Sequence, residues 1–266
     1  MFRTRLLSGI VLVALALLLI ITGGKVLLAS TCAISLIGLM ELYRVFDIHK
    51  KPVGILGYIF TVFYYLDLNF KFLPNLEILV IAFLILLLAC FVLTFPKYHS
   101  RQIMAAFFGV FYVSIMLSFI YQTRMIPNGK YIVWLIFLCS WGCDTCAYCV
   151  GRLFGKHKMA PVLSPKKSVE GAIGGVAGAF LLTIIYSLIF RTQMQIGSRE
   201  IIVLGIISAI GALISMIGDL AASAIKRNYD IKDYGRLIPG HGGILDRFDS
   251  VIITAPIIYF LAVYLV

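Results

Sequence analysis

Nine long apolar stretches limit what this chain can fold into more than any other feature of its sequence. Each approaches the roughly 20 residues that a helix needs to cross a bilayer, and 61% of all residues are hydrophobic. In lipid, backbone polar groups must pair within the segment, so these stretches, which lack strict alternation, predict helices. We expect an all-α fold, a polytopic transmembrane helix bundle of about nine helices. The predicted spans are residues 6–22, 26–46, 53–68, 76–95, 103–121, 131–150, 171–190, 201–218 and 251–266.

The basic residues predict the orientation of these spans. Lys and Arg number 23 against 12 Asp and Glu, a net charge of +11. If the N-terminus lies inside, 17 basic residues fall on the inner side and 6 on the outer side. Cytoplasmic loops carry such an excess, so we expect the N-terminus inside and the C-terminus outside, in the cytoplasmic (inner) membrane. No nucleic-acid partner is expected, because a soluble basic protein would be far less hydrophobic. The outer six are Lys25, Lys71, Arg124, Lys130, Arg191 and Arg199.

Polar residues divide the chain into three regions. Residues 1–70 are predicted to form the N-terminal helices one to three, and residues 71–130 the middle helices four and five. Residues 131–266 are predicted to form the catalytic helices six to nine, with two long cytoplasmic loops at 151–170 and 219–250. Arg3 and Arg5 before the first Leu-rich run also fit a signal peptide, but no small-residue cleavage site follows closely, so we expect an uncleaved first span.

The densest polar region runs from residue 217 to residue 249. Asp219 lies at the inner end of the eighth span, and Ser223, Lys226 and Arg227 follow on the same helical face, so the helix should continue past the span. Carboxylates at the membrane face are costly unless they are paired or bound to metal. Together with these bases they predict a hard-cation site that faces phosphate.

A glycine-rich turn interrupts this region. Three glycines among residues 239–243 let the backbone approach a ligand closely or adopt positive φ. Asp246 and Asp249 follow at the expected start of the ninth span. The alternative interpretation is a solvated loop whose aspartates merely interact favourably with a helix dipole.

Two further segments carry candidate residues. Asp144 lies inside an apolar span, where a carboxylate is a functional-site candidate by default, although a structural helix–helix hydrogen bond remains the alternative. Lys166 and Lys167 lie in a turn before a helix N-terminus suited to phosphate, or are simple topology signals. Gly171, Gly174, Gly175 and Gly178 then predict tight packing of the seventh span.

The spacing of three cysteines allows a different interpretation. Cys139, Cys143 and Cys146 have the spacing of the iron–sulfur ligands of radical-SAM enzymes. The same spacing is also one stripe of a continuous helix, and a cluster needs a loop to bring its ligands together. We therefore expect these cysteines to be small packing residues.

Several of these stretches are similar to one known family. Residues 134–250 resemble the phosphatidate cytidylyltransferases, or CDP-diacylglycerol synthases, whereas the first five spans resemble them only in hydropathy. The resemblance implies transfer of the cytidylyl group from CTP to phosphatidic acid, with Mg2+ as cofactor, membrane lipids around the enzyme and a homodimeric state. The segment that carries it best is SAIKRNYDIKDYGRLIPGHGGILDRFD, residues 223–249.

The resemblance and the chemistry together assign roles to residues. The expected catalytic set is Asp144, Asp219, Lys226 and Asp246. Asp219, Asp246 and Asp249 are expected to hold Mg2+, and Asp144 either a second cation or the substrate. The residues expected to bind CTP and phosphatidate are Lys166, Lys167, Ser223, Arg227, His241, Gly242, Gly243 and Arg247.

Two other functions remain open at this point. Another CTP-dependent membrane lipid enzyme, similar to a polyprenol kinase, would transfer the γ-phosphate instead. An ion-coupled transporter could use Asp144 and Asp219 as coupling carboxylates, although the sequence shows no inverted repeat.

Overall fold

A computed structural model describes residues 2–240 and 242–265, with side chains from residue 8 onward. Ten helices and one short hairpin account for its regular structure within those residues. The first five helices are α1 (Phe2–Thr22), α2 (Gly24–Val45), α3 (Pro52–Phe70), α4 (Leu76–Thr94) and α5 (Ser100–Met125). The rest are α6 (Gly129–Phe154), β1 (Lys158–Ala160), β2 (Ser164–Ser168), α7 (Val169–Ile189), α8 (Arg191–Met194), α9 (Ser198–Asn228) and α10 (Leu245–Leu265).

The apolar stretches form the predicted membrane helices. Eight described helices are long and apolar enough to cross a membrane, and they coincide with predicted spans two to nine. The first predicted span lies in α1. The described apolar part of α1, Ser8–Thr22, is shorter than the eight helices that could cross a membrane. The prediction of an all-α, multi-pass helical fold is confirmed. Orientation in the membrane stays a prediction.

Two of the long helices contain a π-helical segment. Val110–Ile115 widens α5, and Leu138–Gly142 widens α6 immediately before the segment that carries Asp144. Such wide turns are rare and often lie at functional sites. The sequence did not predict either of them, because apolar residues fill both the α- and the π-helical segments.

The loop between α6 and α7 is more ordered than predicted. β1 and β2 pair antiparallel, with Lys158 opposite Ser168 and Ala160 opposite Ser164. Ser168 then accepts a hydrogen bond from the Gly171 amide at 3.1 Å, so it caps α7 as an N-cap serine does. The predicted helix N-terminus is confirmed. The strand before it was missed because Ser-Pro-Lys-Lys-Ser has no apolar alternation.

The chain divides into two compact units. The first contains Met1–Tyr121 and Asp233–Asp246, and the second contains Gln122–Lys232 and Arg247–Val266. The two units are defined by which residues pack together, whereas the three predicted regions are defined by position along the sequence.

Buried hydroxyl groups join the helices of the first unit. Thr61 and Ser114 hydroxyls lie 2.7 Å apart between α3 and α5, and the Tyr64 and Ser118 hydroxyls are 2.8 Å apart one turn further on. Tyr43 of α2 donates a hydrogen bond to the Ala106 carbonyl at 2.6 Å. In a membrane such bonds tie specific helix faces together, because lipid offers the hydroxyls no other partner.

Small residues let α6, α7 and α9 approach closely in the second unit. A Cβ atom at Gly178 would lie 2.5 Å from the Cβ atom of Cys146, so only glycine fits there. Cys139 and Cys143 are fully buried on the continuous α6, where Cys139 contacts the Ser208 hydroxyl at 3.2 Å. The predictions of tight glycine packing and of cysteines as packing residues are confirmed.

We predict that Gly178→Leu destabilises the protein by about 1–3 kcal/mol, because the new side chain overpacks the interface between α6 and α7. The apparent melting temperature in detergent, followed by size-exclusion chromatography, measures this effect. Ala177→Leu is the matched control, since Ala177 is the exposed neighbour on the same helix. Equal shifts in the two variants would contradict the packing argument.

Candidate active site

The second unit pairs two of the predicted site residues directly. The Lys167 ammonium, at the end of β2, forms an ion pair with the carboxylate of Asp219 on α9. Each side chain keeps 25% of its surface exposed. A charge that is mostly enclosed is costly without a partner, and here each charge supplies the partner of the other. The pair joins two segments that the sequence analysis treated as separate.

Asp144 lies on α6 near this pair. Its carboxylate is half-buried and interacts electrostatically with Lys167, Asp219 and Arg247. The position of Arg247 is fixed by Trp141, whose indole nitrogen donates to the Arg247 carbonyl at 3.3 Å. The structure therefore places Asp144 in a charged cluster, which favours a functional role over an isolated helix–helix hydrogen bond.

Asp249 on α10 completes the cluster. Its carboxylate interacts electrostatically with Asp219, Lys226 and Asp144, and it accepts a hydrogen bond from the Ser250 amide at 2.8 Å. A Cβ atom at Gly218 would lie 2.9 Å from the Asp249 carbonyl oxygen, so α9 and α10 approach each other closely at this level. Three helices thus contribute one carboxylate each, accompanied by three cationic side chains, Lys167, Lys226 and Arg247.

The donor chemistry of this cluster suits a hard cation. Among the described residues, no group of three or more His, Cys, Asp or Glu side chains is placed so that it could hold a metal ion by itself. Mg2+ usually takes only one or two protein carboxylates and completes its shell with water and substrate phosphate oxygens. Asp144, Asp219 and Asp249 offer carboxylates of the kind that such a site uses.

In the first unit, Asp246 holds a loop together. One oxygen of its buried carboxylate accepts hydrogen bonds from the Tyr234 amide at 2.8 Å and the Gly243 amide at 2.9 Å. The Ile238 amide donates to the Gly242 carbonyl at 2.8 Å and closes the turn between them. Asp246 therefore fixes the loop Asp233–Asp246 from inside. Its predicted role as a metal ligand stays a prediction.

The predicted glycine turn exists. Gly240 and Gly242 have φ values of 79° and 89°, the left-handed conformation that favours glycine. The Gly243 amide donates to Asp246 at 2.9 Å, and the role of Gly242 and Gly243 in substrate binding stays a prediction. His241 lies outside the described residues.

The structure adds one residue that the sequence analysis missed. Glu41 of α2 is 2% exposed, and its two oxygens accept hydrogen bonds from the Ile244 amide at 3.1 Å and the Leu245 amide at 2.8 Å. A signal was available, because Glu41 is a lone carboxylate in an otherwise apolar span. Glu41 stands outside the segments dense in polar residues, so the motifs in those segments did not identify it.

Other predicted residues lie at the edge of these groups. Lys166 and Arg227 are exposed, and the Arg227 guanidinium donates to the Ile231 carbonyl at 3.5 Å. Ser223 is half-buried on α9, one turn after Asp219. The confirmed continuation of α9 to Asn228 keeps Ser223 and Arg227 on the same helix as Asp219.

Comparison with known proteins finds relatives along the whole chain. The model of the Cytidylyltransferase family matches residues 3–265. A protein of Staphylococcus haemolyticus named phosphatidate cytidylyltransferase is 33% identical over 270 residues, which cover 98% of this chain and 99% of that protein. Proteins of the same name are 31% identical in Staphylococcus saprophyticus and 33% identical in Staphylococcus aureus. Each match covers 98% of this chain and 99% of the relative.

We predict a coupling free energy of about 1 kcal/mol between Lys167 and Asp219, because the partly enclosed pair is shielded from water. A double-mutant cycle of Lys167→Gln and Asp219→Asn, measured by unfolding in detergent, gives this energy. Lys51 and Asp47 form the control pair, with nitrogen and oxygen 2.7 Å apart and Asp47 85% exposed. A coupling no larger than that of the control pair would contradict the prediction.

Proposed function

Because the chain belongs to the cytidylyltransferase family, we propose that it transfers the cytidylyl group of CTP to phosphatidic acid. The products are CDP-diacylglycerol, a precursor in phospholipid biosynthesis, and pyrophosphate. One structural observation supports this function most directly. The Lys167–Asp219 pair joins Asp144 and Asp249 in one charged cluster built on membrane helices, where a lipid phosphate and a nucleotide could both be neutralised.

The reaction needs little proton transfer. The second pKa of a phosphomonoester is about 6, by analogy with phosphorylated side chains, so the phosphatidate oxygen is largely ionised at neutral pH. That oxygen attacks the α-phosphorus of CTP and forms the new P–O bond. The bond from the α-phosphorus to the bridging oxygen breaks, and pyrophosphate leaves with the electron pair. No dedicated general base is required.

The protein must instead position two anions that repel each other. In-line alignment and neutralisation of charge supply most of the catalysis in such a transfer. Lys167, Lys226 and Arg247 are the cations of the cluster and contact phosphate oxygens. Since Lys167 is held by the Asp219 carboxylate before the substrates arrive, it needs little reorganisation in the transition state.

The carboxylates of the cluster would hold the cation that the reaction uses. Asp219 and Asp249 would bind Mg2+, and Asp144 either a second cation or the substrate. Bound there, Mg2+ would neutralise negative charge on the nucleotide phosphates. The predicted contributions of Lys166, Ser223, Arg227, His241, Gly242, Gly243 and Asp246 to substrate or metal binding are retained in this proposal.

Charge distribution and chemistry support the proposed location. We place the enzyme in the cytoplasmic (inner) membrane with its active site facing the cytoplasm, because 17 of 23 basic residues fall on one predicted side. CTP is available on that side, and phosphatidate reaches the cluster from the surrounding lipid. A homodimer is proposed on the family resemblance alone.

We predict that the purified protein converts CTP labelled at the α-phosphate into labelled lipid when phosphatidate and Mg2+ are present. CTP labelled at the γ-phosphate should leave the lipid unlabelled, which separates this reaction from that of a lipid kinase. Chelation of Mg2+ should abolish the product. Label in lipid from the γ-position, or no labelled lipid at all, would overturn the proposed function.

Within the same assay, Asp219→Asn and Asp249→Asn should each lower kcat by roughly 100-fold or more, the scale for loss of an electrostatic group at a reaction centre. Asp230→Asn is the matched control, because Asp230 is exposed and its positive φ of 52° is one that asparagine tolerates. Asp246→Asn should raise the Mg2+ concentration that gives half-maximal activity only if Asp246 is also a ligand. Wild-type activity in Asp219→Asn would refute the metal assignment.

Orientation can be tested separately. In a variant without the native cysteines, the new cysteine of His99→Cys should react with a membrane-impermeant maleimide only after the membrane is permeabilised. A single cysteine at Gln195 should be labelled in intact cells, because the two loops are predicted on opposite sides. The reverse pattern would invert the proposed topology.

A further inference from the structure

Glu41 lies where a carboxylate requires a reason. It is 2% exposed within α2, one of the helices apolar enough to cross a membrane. An ionisable group at such a position is costly unless its oxygens are satisfied. Both oxygens of Glu41 are satisfied, each by one backbone amide, those of Ile244 and Leu245.

Those two amides lie at the beginning of α10. The first amides of a helix have no partner within the helix, and the helix dipole favours negative charge there. Glu41 therefore acts as a cap supplied from elsewhere in the sequence. Its bonds fix the point where the loop Asp233–Asp246 ends.

The loop is shaped to receive this carboxylate. A Cβ atom at Gly235 would overlap Oε1 of Glu41, and a Cβ atom at Gly243 would overlap both Oε1 and Oε2. The loop backbone thus closes directly over the carboxylate at two positions, where only glycine fits. The absence of side chains at Gly235 and Gly243 has a structural purpose separate from ligand binding.

Two acids therefore hold one loop. Asp246 binds the Tyr234 and Gly243 amides from within the loop, and Glu41 binds its last residues from α2. Glu41 reaches the loop only through backbone groups in these contacts, so its influence on chemistry must act through loop conformation.

We propose that Glu41 is a positioning residue, which fixes the loop carrying Asp246 and the predicted CTP-binding glycines in the conformation that the reaction uses. This inference rests on the proposed cytidylyl transfer. It also gives a role in the reaction to the N-terminal helices, which the sequence alone left without one.

The test combines a conformational and a kinetic measurement on the full chain in lipid nanodiscs. Trypsin cuts after Lys232 and Arg236, which are exposed at the start of this loop. Glu41→Gln removes one acceptor and places an amide donor against a backbone amide, so cleavage at these sites should accelerate at least fivefold. The KM for CTP should rise about tenfold, with a smaller change in the KM for phosphatidate.

Two further variants make the result specific. Glu77→Gln changes an exposed carboxylate on α4 and should match the wild type in both measurements. Gly235→Ala disturbs the same contact from the loop side and should reproduce Glu41→Gln, which keeps the test valid if Glu41→Gln fails to fold.

The outcomes separate the two proposals. Unchanged cleavage in folded Glu41→Gln or Gly235→Ala would overturn the positioning role. Faster cleavage with an unchanged KM for CTP would also overturn it, because the loop would then be loosened without effect on the reaction. A wild-type protein without any cytidylyl transfer would refute the proposed function, whereas the cleavage result would still show whether Glu41 holds the loop.

Discussion

A bilayer offers no water to polar groups, and several buried polar side chains of this protein are paired as that constraint requires. Ser208 receives a hydrogen bond from Thr183 at 2.8 Å and donates one to the Ala179 carbonyl at 3.1 Å, which joins α7 to α9. Lys167 and Asp219 satisfy each other in the same unit. In the first unit, Glu41 is satisfied entirely by backbone amides. Each of these contacts selects one packing arrangement. Hydrophobicity alone would not fix the position of these elements relative to one another.

Hydropathy was sufficient to predict the helices because their apolar stretches are long. The same pattern could not locate helix ends, since a helix continues wherever its next residues tolerate it. α9 extends past Gly218 to Asn228, as the one-face spacing of Ser223, Lys226 and Arg227 predicted. The pairing of β1 with β2 was not predictable, because it depends on backbone hydrogen bonds among exposed polar residues and on the cap at Ser168.

The candidate site was predictable as a set of residue types and not as an arrangement. Density of Asp, Lys and Gly marked the segments that carry the charged cluster, yet sequence gives no distances between segments, so the Lys167–Asp219 pair could not be foreseen. The sequence predicts Asp246 as a catalytic residue and Asp249 only as a metal ligand, but the structure commits one oxygen of Asp246 to two backbone amides and places Asp249 in the charged cluster. Glu41 lies outside the polar-rich segments of the sequence, and so the motifs did not identify it. A single buried charge nevertheless carries as much information as a cluster.

The bond between Glu41 and Leu245 connects residues 204 positions apart in the chain. At translation rates of roughly 5–20 residues per second, Glu41 is synthesised about 10–40 seconds before its partner amide exists. During that interval the carboxylate must be inserted with its helix, at a cost of about 2.5–3.5 kcal/mol on the scale of the insertion machinery, or wait near the membrane surface. The apolar residues of α2 must offset that cost on their own. A loop synthesised 204 residues later therefore completes the burial of a helix that enters the membrane well before it.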